Sequence, residues 1–155
     1  MKTVITMTLT IISGIMFLGC NHCTEKYCAD QNIVQQLEFK NFLKEDVDTF
    51  LVTRFVRNSN FSGVADSFFV YADDYNSNMT VEPKRITFPS IINAAESDFE
   101  VKLVSTQGKY QLSNFVISKK ICNSCTFGKD EYYNHCDSYN INGSTITDWR
   151  VVISK

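Results

Sequence analysis

The chain has 155 residues, of which 44% are apolar and 13% aromatic, with only two prolines. That is enough apolar side chain to offset the ordering entropy of one domain, so extended disorder is excluded. Its 15 basic and 17 acidic residues give a formal charge of -2 with no basic block, which excludes nucleic acid as a partner.

Lys2 is the only charge before Glu25, and residues 4–18 form an apolar run relieved by threonines. The run is short for a membrane span; a positive start, a brief apolar centre and a small residue at the end read as an export signal. It closes on Phe17-Leu18-Gly19-Cys20. Leu18-Gly19-Cys20 resembles the lipobox of bacterial lipoproteins, although Phe17 stands where that motif most often carries leucine. The resemblance implies a lipoprotein signal peptide over residues 1–19, cleavage before Cys20 and acylation of its thiol. The other reading of these residues is an ordinary secretory signal that leaves Cys20 as a thiol. Each buried methylene contributes about 0.8 kcal/mol, so several acyl chains anchor a protein almost permanently. The mature chain would carry 14 basic and 17 acidic residues, a charge of -3 with no polybasic segment, so the acyl chains alone would hold it to the membrane.

Residues 21–31 are polar and carry Cys23 and Cys28, which suits a tether or stapled loop, and a tether is expected over residues 20–32. From Ile33 to residue 155 the pattern is that of one β-domain. Val34, Leu37 and Phe39 are mixed with polar residues; residues 48–57 and 67–72 are β-branched and aromatic; residues 84–88 form a short extended piece between Pro83 and Pro89. Phe99, Val101 and Leu103 alternate with Glu100 and Lys102, as in a strand with one wet face. A turn at Gln107-Gly108-Lys109 returns the chain, with Tyr110, Leu112, Asn114 and Val116 opposed to Gln111, Ser113 and Phe115. Asn142-Gly143 marks a second tight hairpin, followed by a strand over residues 145–153 that contains Trp149. A helix is conceivable only at residues 33–43 and 91–96, both too short or too aromatic for one. Six to eight short strands predict an all-β fold, an antiparallel two-sheet β-sandwich.

This layout of lipobox, N-terminal cysteine pair and alternating body resembles small uncharacterised lipoproteins of the Bacteroidota type, with a transthyretin-like or immunoglobulin-like sandwich. The resemblance implies an envelope location and no particular activity.

With Cys20 acylated, five thiols remain: Cys23, Cys28, Cys122, Cys125 and Cys136. In an exported protein they read first as disulfides. Cys23 with Cys28 would close a small loop beside the anchor, and Cys122 or Cys125 with Cys136 would close the polar loop between two strands, leaving one thiol over. The alternative is a zinc-like metal site or a thiol-redox pair. Cys122 and Cys125 have C-x-x-C spacing, and His135 and Cys136 could complete a tetrahedral set. Adjacent residues of a strand point to opposite faces, however, so His135 and Cys136 could share one ion only across a kink.

Residues 74–82 place oxygen-bearing side chains at alternate positions, but Met79 sits where a calcium loop needs glycine and Arg85 where it needs glutamate, so an Asx-rich turn is expected instead. Glu45, Asp46 and Asp48 read as a solvated loop. His22 and His135 lie near no nucleophile motif, and no phosphate loop or HExxH occurs. The N-x-S/T matches at Asn60, Asn78 and Asn142 would matter only in a host that glycosylates. Adjacent aromatics, Phe68-Phe69 and Tyr132-Tyr133, cannot both face one core from a regular strand, so one of each must look outward or into a second layer; between Cys125 and Cys136, Tyr132 or Tyr133 would suit sugar or protein contacts or cover the end of the sandwich as packing. The expected function is a non-enzymatic, cofactor-free envelope lipoprotein acting as a binding or assembly module. It would be lipid-anchored to the outer membrane on its periplasmic or surface face, with an envelope protein or glycan as partner.

Overall fold

The computed structural model describes residues 27–72, 78–124 and 129–155; the lipobox-like segment, Cys23 and Cys125 lie outside them. The chain divides into two compact units: residues 29–119 with 134–155, and residues 1–28 with 120–133. The larger unit holds the core.

The fold is an all-β sandwich, as the alternation predicts. Nine strands occur among the described residues: β1 (Ile33–Lys40), β2 (Thr49–Val56), β3 (Val64–Tyr71), β4 (Lys84–Asn93), β5 (Ser97–Leu103), β6 (Lys109–Asn123), β7 (Glu131–Ile141), β8 (Ser144–Ile146) and β9 (Val152–Ser154). A three-stranded sheet runs β4-β1-β9 and a six-stranded sheet runs β3-β2-β5-β6-β7-β8. β1 with β4, β2 with β3 and β5, β5 with β6, and β7 with β8 pair antiparallel, whereas β1 with β9 is parallel over Glu38 to Lys40.

Period-two alternation places Leu37, Phe39, Phe50, Val52, Phe99, Val101, Leu103 and Ile153 in a dry core. Phe39 and Phe50 meet edge-on at 5.4 Å between centroids and join the two sheets. Across the larger sheet, Phe99, Phe115 and Tyr139 stack in a row at 5.7 and 5.5 Å. Each such aromatic pair contributes about 0.5–1.5 kcal/mol beyond its burial.

The alternation of residues 99–104 is realised, with Glu100 accepting from Gln111 and pairing with Lys109, while Asp98 at the start of the segment is buried. On the return strand the expected phase fails. Asn114 takes a positive φ of 54°, which shifts the pleat by one residue, so Phe115 rather than Val116 points inward. The segment at residues 33–40, where a helix was conceivable, is a strand. β4 continues through Pro89 instead of ending there, because it is an edge strand. The register between β1 and β4 also slips between Val34 and Gln36, just where proline's missing donor would be needed. The Asn142-Gly143 turn is present, with φ of 50° and 83°. The single strand expected over residues 145–153 is instead two, β8 in the larger sheet and β9 in the smaller, separated by residues 147–151. Trp149 therefore lies in a connection and is exposed, where it was expected within a strand.

Candidate functional site

Cys28 and Cys122 form a disulfide with Cα atoms 5.9 Å apart and a sequence separation of 94. This corrects the local pairing of Cys23 with Cys28. Cys136, expected to pair with Cys122 or Cys125, is a free, buried thiol on β7. The tertiary reason lies in the segment before β1. Gln31 donates its main-chain N–H to the Asn134 carbonyl at 2.7 Å, and its side-chain oxygen accepts from the Cys136 N–H. Asp30 accepts from the Asn134 N–H at 2.7 Å. The N-terminal segment is thereby laid along β7 instead of folding back on itself.

The same bridge takes Cys122 out of the metal set. A disulfide sulfur is not a thiolate, so Cys122, Cys125, His135 and Cys136 do not assemble as a four-ligand site, and no cluster of three metal-ligating side chains occurs among the described residues. The Cys136 thiol has its pKa raised, first by burial and then by the nearby Asp137 charge, so it stays protonated and unreactive. His135 lies 3.6 Å from Asp137.

Of the adjacent aromatics, Phe69 is exposed while Phe68 packs on the core, and Tyr132 is exposed while Tyr133 is half-buried. At residues 78–80 an Asx turn is formed, Asn78 Oδ1 accepting from the Thr80 N–H and hydroxyl; residues 73–77 are outside the described part.

The most elaborated polar arrangement was not visible in the sequence. It lies on the outer face of the three-stranded sheet. Glu38, in the middle of the central strand β1, is 3% exposed, although its alternation with Leu37 and Phe39 turns it away from the core. Arg85, directly opposite on β4, reaches one carboxylate oxygen at 2.9 Å; Arg150, just before β9, approaches the other at 3.9 Å. Both arginines are roughly half-exposed, at 48% and 43%. A carboxylate this dry is tolerated because two cations accompany it; alone it would cost several kcal/mol.

Arg150 is itself held. Its main-chain N–H donates to Asp148 at 3.0 Å, and its guanidinium lies 3.5 Å from the same carboxylate. Burial works against the Asp148 charge, but these contacts outweigh it and lower its pKa. The Arg150 carbonyl accepts from the Tyr139 hydroxyl at 2.7 Å, and that hydroxyl accepts from the Val152 N–H at 3.1 Å. The Arg150 guanidinium sits 5.8 Å from the centroid of the Trp149 ring, which is 52% exposed. Sequence reading missed this set because Arg85 and Arg150 are 47 and 112 positions from Glu38; the one available signal was a charged residue inside an apolar β1 pattern.

No protein-family model, no curated protein and no solved structure matches this chain.

Proposed function

We propose that the chain is a non-enzymatic lipoprotein of a bacterial cell envelope, anchored to the membrane through an acylated Cys20 and presenting its sandwich as a binding or assembly module. The observation that carries this reading is the Cys28–Cys122 disulfide. Such bridges persist in exported proteins and are rare where thiols are kept reduced. The bridge therefore supports export, and export is what the apolar run and Leu18-Gly19-Cys20 encode. No helix among the described residues is long and apolar enough to cross a membrane. An acyl anchor at Cys20 would supply the attachment, with the outer membrane, on its periplasmic or surface face, as the site and an envelope protein or glycan as the partner. The half-exposed arginines and tryptophan on the sheet face support a role in binding.

The test is the mass and partitioning of the mature protein. Expected are loss of residues 1–19, acyl groups on Cys20, recovery in the detergent phase of a Triton X-114 extract, and transfer to the aqueous phase on Cys20→Ser. An unacylated Cys20, or a Cys20→Ser variant that stays in the detergent phase, refutes the proposal.

A further inference from the structure

Glu38, Arg85 and Arg150 answer no need of the core, since the first is turned outward and the other two are half-exposed. A structural ion pair on a sheet face needs one cation for each carboxylate. Here two guanidiniums converge on one carboxylate, and Asp148 shares Arg150. Lys40, exposed two residues beyond Glu38 and so on the same face of β1, adds a third cation against two carboxylates. The face is cationic on a chain whose net charge is -2.

Each guanidinium carries five N–H donors. Arg85 commits its Nε–H to Glu38, and its terminal donors have no partner among the described residues. Planar guanidiniums held by a buried carboxylate are oriented in advance, which favours paired hydrogen bonds to an incoming carboxylate. Beside them lies a half-exposed indole, Trp149, within 5.8 Å of Arg150. The centres of protein–protein interfaces are depleted in charge, whereas here the centre is the charged residues themselves. A flat polar face with one aromatic ring suits a polyhydroxylated ring, which lays its C–H face on the indole and its hydroxyls on charged and amide groups.

We infer that the outer face of the three-stranded sheet binds an acidic saccharide, its carboxylate received by Arg85 and Arg150 and its sugar ring by Trp149, with Glu38 as the positioning residue. This deepens the binding-module reading proposed above and rests on it.

Trp149 is the only tryptophan in the chain, so its fluorescence reports on this face alone. The full-length protein in detergent is titrated with hexagalacturonate, maltohexaose and hexaglutamate. Expected is a saturable fluorescence change with hexagalacturonate, weakened at high salt, and none with the neutral sugar or the acidic peptide. Arg85→Gln and Arg150→Gln should each weaken binding by about tenfold or more. Glu38→Gln separates positioning from charge: it adds a net positive charge, yet binding should weaken because the guanidiniums lose their anchor. Silence toward hexagalacturonate, an equal response to maltohexaose or hexaglutamate, or affinity unchanged in both arginine variants overturns the inference. Detergent-phase partitioning of the same preparation is read in parallel. A protein that partitions with detergent but is silent to the saccharide refutes only the ligand; one that stays in the aqueous phase refutes the anchor.

Discussion

Tyr139→Phe isolates one oxygen atom on which both the sheet and the candidate site depend. Tyr139 is fully buried, and its ring stacks on Phe115 at 5.5 Å, a contact that phenylalanine keeps. What disappears is the hydroxyl that donates to the Arg150 carbonyl at 2.7 Å and accepts from the Val152 N–H at 3.1 Å. Those two main-chain groups flank Val151, which is buried, at the point where the chain enters the parallel pairing of β9 with β1. An orphaned buried polar group costs about 1–3 kcal/mol. Val152 is only half-buried, so water can reach one of the two groups, and the expected loss is about 2–3 kcal/mol in a denaturant titration with the disulfide intact. Tyr110→Phe serves as the control, since its hydroxyl has no hydrogen-bond partner among the described residues; it should change stability by less than about 0.5 kcal/mol. Equal, negligible losses from both variants would refute the claim that the Tyr139 hydroxyl ties β9 in place. The same hydroxyl has a titration signature. Burial pushes its pKa up to about 12 from the ordinary 10.0. A group whose folded pKa is raised contributes stability that is complete below its unfolded pKa and is lost as the pH climbs through the folded one. Phenolate absorbance should therefore show a late ionisation that Tyr139→Phe removes, together with alkaline unfolding that the same substitution blunts.

Replacing both Cys28 and Cys122 with serine opens a 94-residue loop and should lower stability by about 4–5 kcal/mol on the loop-entropy model, read as a drop in thermal midpoint; a loss below about 1 kcal/mol would contradict the bridge. Cys136 should resist alkylation in the native state and react once denatured, and a rapid native reaction would contradict its burial. The Lys155 ammonium and the Leu43 N–H hold the Asp46 carboxyl below its usual 3.8, so the stability it contributes is present above that pH and lost as pH falls; Asp46→Asn should flatten the acid limb of the stability curve. Gly143→Ala places a side chain at a φ of 83° and should cost about 1 kcal/mol in the same denaturant assay, even though nothing lies within 4 Å of the new methyl group.

Strand identity could be read from residues 98–104 because sheet burial has a period of two and each residue declares its side. The same holds for Asn142-Gly143, where the turn needs backbone angles that these two residues adopt at little cost. One residue was enough to break the reading elsewhere: a positive φ at Asn114 inverts the faces of β6, and no composition signal announces it. Residues 145–153 looked like one strand because alternation records exposure and carries no record of which sheet is joined.

The candidate site lay beyond sequence reading for a related reason. Glu38, Arg85 and Arg150 are ordinary surface residues until antiparallel register sets Arg85 opposite Glu38 and a parallel crossover delivers Arg150 beside it. Cysteine pairing failed likewise, since nearness in sequence suggested Cys23 for Cys28 where the fold supplied Cys122. What the amino-acid order determined alone was local: an apolar run before Cys20, a β-rich body, and the two hairpin turns between β5 and β6 and between β7 and β8. Which distant residues meet was decided only in three dimensions, because contacts between strands are chosen by the collective burial of Phe39, Phe50, Phe99 and their neighbours, a quantity no single segment contains.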